Sequence, residues 1–413
     1  MFKFFRSYLI LLVALAAPAS GETLRLYIDA DYSISRHGAE AIELGVTTAL
    51  SEVGSRAGGF DLEVLPRDHR ANSKRSLATM RNYLRDPKGL AVIGGVHSPP
   101  YLTNKRFINE NGVLLLLPWS AAGPITRADD GVENWIYRLS VDDTKAGPFL
   151  VARALSHAHC ARTALLLVDT GWGRANKGTM STAFETAQAQ EPYVFMFPSS
   201  IGAASARTLV QSIARVSPDC VIMLASAAEG ALLLNELHKE LPSTKVISHW
   251  GILAADFEDR IAPATLSNMD LEVLQTCGLE QERQKAPALK RALDLASDAQ
   301  SPFHSLSDIP ASTGFVHGYD LTRLLLAAIE QSAQASDWAA LSIQQRRAAV
   351  RLALTRLEAP VDGILKTYAE PFAPYSPAYR DAHEALGLGD LCMASFDETG
   401  RLVLVDHSPL GHL

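Results

Sequence analysis

Short apolar segments alternate with segments of helical spacing from the N-terminal region up to Asp142, and this alternation restricts the fold more than any other feature. Residues 91–93 and 113–117 are apolar at every position, without the alternation of a half-exposed strand. Such runs are typical of strands buried on both faces of a parallel sheet. The order βαβαβαβ therefore predicts a doubly wound parallel sheet. Its main predicted segments are residues 24–28, 38–53, 60–65, 72–84, 91–93, 100–111 and 113–117.

The same alternation begins again after Asp142, which predicts a second α/β lobe. A chain of 413 residues also exceeds what one hydrophobic core usually supports. The predicted strands of this second lobe are residues 164–168, 193–197, 221–225 and 246–248.

The C-terminal third has a different character. It contains two predicted helices, 313–333 and 342–357, and a predicted hairpin at 389–405. These elements have no sheet of their own, so we expect them to complete the two lobes. The expected division is residues 22–142 and 303–385 for lobe 1, and residues 143–302 and 386–413 for lobe 2.

The N-terminal segment has the pattern of a secretory signal peptide, predicted to span residues 1–21. Lys3 and Arg6 precede an apolar core at 8–17, and small residues follow at 17–21. The core is well short of the ~20 apolar residues that a membrane-spanning helix needs. We therefore expect an exported protein that works in the periplasm.

Composition argues against two classes of partner. The formal charge of -7 disfavours nucleic acid, because phosphate binding needs a basic surface. No polybasic run is present that would bind anionic lipid.

Four cysteines in an exported chain suggest disulfides. Cys160 and Cys220 each precede a predicted strand, so neighbouring parallel strands would place both at one sheet edge. Cys277 and Cys392 would then form the second pair. Other pairings, and four buried free thiols, remain alternatives at this stage.

Two loops point to a ligand site. Residues 94–99 follow the strand at 91–93, and residues 118–122 follow the strand at 113–117. In an open parallel sheet, ligands bind beyond the carboxyl ends of the strands, so both loops should face one site. Their hydroxyls, backbone N–H groups and the indole of Trp119 suit binding, and they carry no evident catalytic group.

The chain resembles the type I periplasmic solute-binding proteins of the branched-chain amino acid (Leu/Ile/Val) group. The resemblance implies two doubly wound, Rossmann-like lobes joined by a three-strand hinge. It also implies a monomer without a cofactor that closes on a small solute and delivers it to the permease of an ABC importer. The matching segments are the one at Asp68, Ile93–Ser98, Leu117–Ala122 with Thr126, Asp169–Gly173, Gly318–Asp320 and Phe396–Gly400.

The family's ligand contacts can be carried over by position. Its carboxylate-binding hydroxyl falls on Ser98, at the start of a helix whose N–H groups favour an anion. Its acidic residue falls near His249 and Trp250, but no acid occurs in that loop before Asp256. The family often has a larger aromatic residue near Ser226. The expected ligand-binding residues are His97, Ser98, Trp119, Ser120, Ala121, Trp172, Ser226 and Trp250.

The missing acid and the small residue at Ser226 predict a ligand other than a plain branched-chain amino acid. An α-ammonium group would lack a charged partner near Trp250. A flat or apolar ligand against Trp119 and Trp172, with a polar or acidic end near Ser98 and Ser120, fits the pattern better. Two of the expected ligand-binding residues have a purely structural alternative. Trp250 would be a core aromatic residue, and His97 would only make hydrogen bonds within the protein.

Two other functions are compatible with the sequence. A ligand-binding sensor subunit of a membrane signalling protein would use the same closure. An exported α/β enzyme ranks third, because we find no paired base and nucleophile. Gly171 and Gly173 follow a strand, but Asn176 stands where a dinucleotide-binding loop has its third glycine, so that motif fails.

Overall fold

A computed structural model describes residues 22–128, 131–297, 302–335 and 337–405. The predicted signal peptide, residues 1–21, lies outside the described residues. No helix among the described residues is long and apolar enough to cross a bilayer.

The first lobe is built on a sheet with the strand order β2-β3-β1-β4-β5-β6. Its pairings are parallel except that of β2 with β3. Strand β4 is buried at all its positions, as expected for an apolar strand covered on both faces. The elements are β1 Thr23–Ala30, α1 Arg36–Ser51, β2 Arg56–Ala57, β3 Phe60–Asp68, α2 Ser73–Arg85, β4 Gly89–Gly94, α3 Ser98–Glu110, β5 Leu115–Leu117 and β6 Ile136–Arg138.

The second lobe begins with α4 and repeats the alternation of strands and helices. Its elements are α4 Asp143–Ala152, β7 Thr163–Val168, α5 Gly171–Thr186, β8 Tyr193–Phe197, α6 Ala203–Ala214, β9 Cys220–Leu224, α7 Ala227–Glu240, β10 Lys245–Ser248, α8 Phe257–Arg260, α9 Pro263–Asn268, β11 Leu271–Thr276, α10 Gly278–Arg283 and α11 Pro287–Ala296.

The C-terminal elements return to both lobes. The hairpin of β14 and β15 joins the second sheet, whose order is β15-β14-β11-β10-β9-β7-β8, and β14 runs antiparallel to β11. The expectation that this region has no sheet of its own is wrong in one detail, because β12 and β13 form a two-stranded ladder there. The elements are α12 Ser312–Ala335, α13 Ile343–Leu354, β12 Val361–Asp362, β13 Thr367–Tyr368, β14 Leu391–Phe396 and β15 Leu402–Leu404.

Helices α1 and α12 of the first lobe touch along their backbones. A Cβ atom at Gly318 would lie 2.5 Å from the carbonyl oxygen of Ile42, and one at Gly45 would overlap the carbonyl of Phe315. Glycine is needed at these positions because any side chain would separate the helices. Through this contact α12 covers the first sheet.

In the described chain, the backbone passes between the lobes after β6, after β11 and before β14. The first and third crossings run side by side. Arg138 N–H donates to the His383 carbonyl at 2.9 Å, and Ala385 N–H donates to the Arg138 carbonyl at 3.0 Å. Adjacent crossings of this kind form the hinge that the resemblance implies.

Two disulfides tie the second lobe together. One links Cys160 to Cys220, at the amino ends of neighbouring strands β7 and β9. The other links Cys277, directly after β11, to Cys392 in β14. The described residues hold no free cysteine.

Candidate functional site

A cavity of about 380 Å³ lies between the two lobes, at the carboxyl ends of strands from both sheets. The first lobe contributes loops that follow β1, β4 and β5, and the second lobe contributes loops that follow β7, β9 and β10. Ligands bind at this edge of open α/β sheets. We call this space the interlobe cavity; its volume falls within the range of small-molecule sites, about 300–1,000 Å³.

Most of the expected ligand-binding residues lie on the wall of the interlobe cavity. Ser120 does not: it is fully buried, and its hydroxyl donates to the carbonyls of Gly95 at 2.7 Å and His97 at 3.3 Å. Ser120 therefore connects the loop after β5 to the loop after β4 without lining the cavity. The expected residues on the wall are His97, Ser98, Trp119, Ala121, Trp172, Ser226 and Trp250.

Ser98 begins α3, as expected, but its surroundings suit an anion less well than the sequence argument assumed. The Ala122 N–H donates to Ser98 Oγ at 3.1 Å, so the hydroxyl already links the two loops. Pro99 and Pro100 occupy the following helical positions and have no N–H. The helix start therefore has fewer donors for a ligand carboxylate than an ordinary helix has.

The second-lobe wall is held by Asp143, a buried carboxylate that sequence reasoning missed. It accepts hydrogen bonds from Trp172 Nε1 at 2.7 Å, Asn176 Nδ2 at 2.7 Å and His249 Nε2 at 2.9 Å. The Gly251 N–H donates to His249 Nδ1 at 3.2 Å, so the neutral ring carries its proton on Nε2. Trp172 and His249 are thus oriented by a group outside the cavity wall.

Trp119 and Trp250 are each 1% exposed, so both are core residues that present part of their surface to the cavity. No described residue accepts a hydrogen bond from Trp119 Nε1. The Trp119 ring meets His317 edge to face, with the ring centroids 6.4 Å apart. Burial lowers the pKa of His317 to about 3, so this ring is neutral.

His97 is held by its own lobe. Its Nε2 lies 3.0 Å from Ser35 Oγ and 3.1 Å from Asp31 Oδ2. Burial raises the pKa of Asp31, but hydrogen bonds from His97 and the Ile34 N–H outweigh it and leave the pKa below its usual value. These contacts fit the alternative in which His97 only makes hydrogen bonds within the protein, although its ring also lines the cavity.

The expectation that an α-ammonium group would lack an acid is corrected by the structure. Glu229, in the first turn of α7, lines the interlobe cavity, and so do Asp256 and Arg260. Asp256 is paired with Arg260 at 2.5 Å. Glu229 forms no ion pair within the described residues, and burial raises the pKa of its carboxyl. The sequence signal was present as Ser226-Ala-Ala-Glu229, which reads as an ordinary helix cap.

The hinge is connected to the first-lobe wall through Arg138. Its Nη1 donates to the carbonyls of Ser120 at 3.1 Å and Ala122 at 2.9 Å. Its other nitrogens bind Glu384 in the third crossing. The loop that carries Trp119 and Ala121 is therefore fixed to the two adjacent crossings.

The lobes touch beside the cavity. A Cβ atom at Gly38 of α1 would lie 2.6 Å from the carbonyl oxygen of Ala254 in the second lobe. This contact brings α1 against the loop after β10. No cluster of three or more metal-binding side chains occurs in the part of the chain that the structure describes.

A model of the family described as periplasmic binding protein matches residues 31–265, more than half of the chain. No curated protein matches it. Among solved structures, the leucine-binding protein LivK of Thermotoga maritima is similar over 93% of this chain and 98% of its own. Its TM-score is 0.72 and its identity 15%.

Two solute-binding proteins of ABC transporters from Rhodopseudomonas palustris are also similar. One was solved with 4-hydroxybenzoate and matches 94% of this chain and 96% of its own, with TM-score 0.70 and 14% identity. The other was solved with benzoate and matches 93% and 95%, with TM-score 0.70 and 15% identity. Identities this low show a shared fold.

Proposed function

Because this chain belongs to the periplasmic binding protein family, we propose that it closes on a small organic ligand and delivers it to an ABC importer. The observation that carries the proposal is the interlobe cavity, whose wall is built by loops from both lobes. A ligand bound there contacts both lobes at once and so favours the closed arrangement.

The proposed ligand has an apolar or aromatic body. Trp119, Trp172 and Trp250 all line the cavity, and burying apolar surface contributes roughly 25 cal/mol per Å² removed from water. The relatives solved with benzoate and 4-hydroxybenzoate show that a fold of this kind can enclose an aromatic ring. A plain branched-chain amino acid is disfavoured by this three-indole wall rather than by a missing acid, since Glu229 is present.

The proposed partners and location follow from the family. The protein would work as a monomer in the periplasm after removal of residues 1–21, and it would dock on an inner-membrane permease. Ser98, Ala121 and Ser226 would make the polar contacts to the ligand. The proposal is for a binding protein without a cofactor, not an enzyme.

Native mass spectrometry of the protein purified from its source tests the proposal directly. We expect a bound small molecule that is released on denaturation and restores a closed, more compact shape when it is added back. Calorimetry with leucine, isoleucine and valine should show weak binding or none. Tight leucine binding that survives Trp119→Ala and Trp172→Ala would rule out the proposed ligand class while leaving transport in place.

A further inference from the structure

The start of α7 lacks the cap that its sequence encodes. Ser226 stands at the N-cap position and Glu229 stands three residues later, the spacing of a capping box. In that motif both side chains bind N–H groups at the helix end. Here the Ser226 side chain makes no capping hydrogen bond, although its carbonyl accepts the first helical bond from Gly230 at 2.8 Å.

Among the described residues, Glu229 likewise has no bonding partner on another residue. Its carboxylate reaches its own backbone N–H, and no side chain among the described residues binds it. Arg260 and His97 both lower the pKa of Glu229, but neither is bonded to it: Arg260 is paired with Asp256 at 2.5 Å, and His97 contacts Asp31 and Ser35. A carboxylate in the wall of a cavity therefore lacks a direct counterion.

Resting on the proposed function, we propose that Glu229 and Ser226 receive a positively charged group of the ligand. The interlobe cavity then takes small organic ammonium ions that carry an apolar or aromatic body. The start of α7 therefore lacks a stabilising cap, as is common at functional sites. Its two polar side chains are available to bind the ligand.

The surrounding wall suits a cation. Trp172, which is partly exposed, lines the same cavity together with the nearly buried Trp119 and Trp250, and aromatic rings attract ammonium groups. Among the charged wall residues, the Asp256–Arg260 pair cancels and Glu229 leaves an excess negative charge.

A carboxylate ligand is the main competing occupant, because the first N–H groups of a helix favour anions. At the start of α7, the place that would favour an anion is already occupied by the carboxylate of Glu229 in the first turn. A ligand carboxylate there would meet a like charge. At the start of α3, two prolines have removed donors.

Calorimetry with three probes of one shape tests the proposal: phenethylamine, phenethyl alcohol and hydrocinnamate. Full-length exported protein should bind phenethylamine most tightly and hydrocinnamate least. Glu229→Gln should weaken phenethylamine binding about tenfold or more, because a buried charge loses its partner. The same change should improve hydrocinnamate binding. Ser226→Ala should weaken phenethylamine binding by a smaller factor.

Glu240→Gln is the matched control, since Glu240 is an exposed acid at the other end of α7 that does not line the cavity. It should leave the affinities for all three probes unchanged. The Tm of unliganded Glu229→Gln should equal or exceed that of the native protein. A fall in Tm would instead assign Glu229 to holding the helix and would overturn the proposal.

The proposal also fails if hydrocinnamate binds more tightly than phenethylamine, if Glu229→Gln leaves phenethylamine binding unchanged, or if none of the probes binds. Tight binding of hydrocinnamate or phenethyl alcohol would leave the proposed solute-binding function standing. So would a co-purified ligand that lacks a basic group. The two proposals can therefore fail separately.

Discussion

Arg138 and Glu384 form a fully buried ion pair with two hydrogen bonds. Arg138 Nε donates to Oε2 at 2.8 Å, and Nη2 donates to Oε1 at 2.7 Å. The pair joins the first and third crossings of the hinge, whose backbones also bridge at these two residues. Two rigidly paired crossings restrict the hinge to bending as a unit.

Removing the arginine should destabilise the protein strongly. We expect Arg138→Met to lower the free energy of unfolding by about 3–5 kcal/mol, because the buried Glu384 would lose its hydrogen-bonded counterion and keep only Arg127 at 3.9 Å. Urea titration measures this. The double variant Arg138→Met/Glu384→Leu should recover much of the loss. Arg36→Met, which removes an exposed partner of Glu40, is the control and should cost little; equal losses in both would contradict the argument.

Closure should depend on Gly38. A methyl group there would lie 2.6 Å from the Ala254 carbonyl across the lobe contact. Gly38→Ala should therefore weaken ligand binding and enlarge the radius of gyration in the liganded state, as measured by calorimetry and X-ray scattering. Gly178→Ala is the control, since no atom lies within 4 Å of its Cβ position. A compact, normally binding Gly38→Ala protein would show that this contact is not part of closure.

Asp143 should control the aromatic wall. Asp143→Asn keeps the shape but replaces one acceptor with an N–H₂ group, so Trp172, Asn176 and His249 can no longer all be satisfied. We expect a loss of about 1–3 kcal/mol in unfolding free energy and a changed near-UV circular dichroism signal. Asp169→Asn, which affects an exposed pair with Arg174, should leave both unchanged. An unaltered aromatic spectrum in Asp143→Asn would argue against the network.

Acid should destabilise the protein through His317. Burial lowers its pKa from 6.5 to about 3. Between about pH 3 and pH 6.5, His317 binds a proton in the unfolded chain but not in the folded protein. The stabilising contribution is thus complete above about pH 6.5 and is lost as the pH falls toward 3. We expect the free energy of unfolding, measured at several pH values, to fall less steeply with decreasing pH in His317→Gln than in the native protein. The control His304→Gln, at an exposed residue, should show the same fall as the native protein.

The disulfides should stabilise unequally. Cys277 and Cys392 are separated by 115 residues, and Cys160 and Cys220 by 60. Replacing either pair with serine should cost about 2–4 kcal/mol, with the longer loop costing slightly more because it restrains the unfolded chain more. Thermal unfolding of the two double variants checks this, and unreduced peptide mapping checks the pairing. Four titratable thiols in the oxidised protein would contradict it.

The strands of the parallel sheets were predictable because their apolar runs are local and uninterrupted. The predicted strand at 164–168 is Thr163–Val168 in the structure, and the one at 193–197 matches exactly in extent. Strand β11 was missed because Glu272 and Gln275 break its apolar pattern. Both are buried and bind distant partners: Arg153 donates to Glu272 at 2.7 Å, and Thr313 donates to Gln275 at 2.8 Å.

The candidate site was predictable in part. Tryptophans in loops after buried strands indicated the wall of a cavity, and the structure places Trp119, Trp172 and Trp250 there. Asp143 and Glu229 were missed for a common reason: each stands in the first turn of a helix, where an acid usually serves the helix itself. Tertiary contacts decide whether such an acid turns to a neighbouring side chain or to a ligand.

The antiparallel pairing of β11 with β14 has a consequence for the order in which the protein can be built. Strand β10 and its neighbours can assemble as soon as β11 has been synthesised, but the outer edge of β11 stays open until residues 391–404 arrive. An open strand edge, with its unpaired backbone N–H and C=O groups, is a template for pairing with other chains. The second lobe is therefore exposed to misassembly until its last strands are in place, and the Cys277–Cys392 bond then fixes the late hairpin to it.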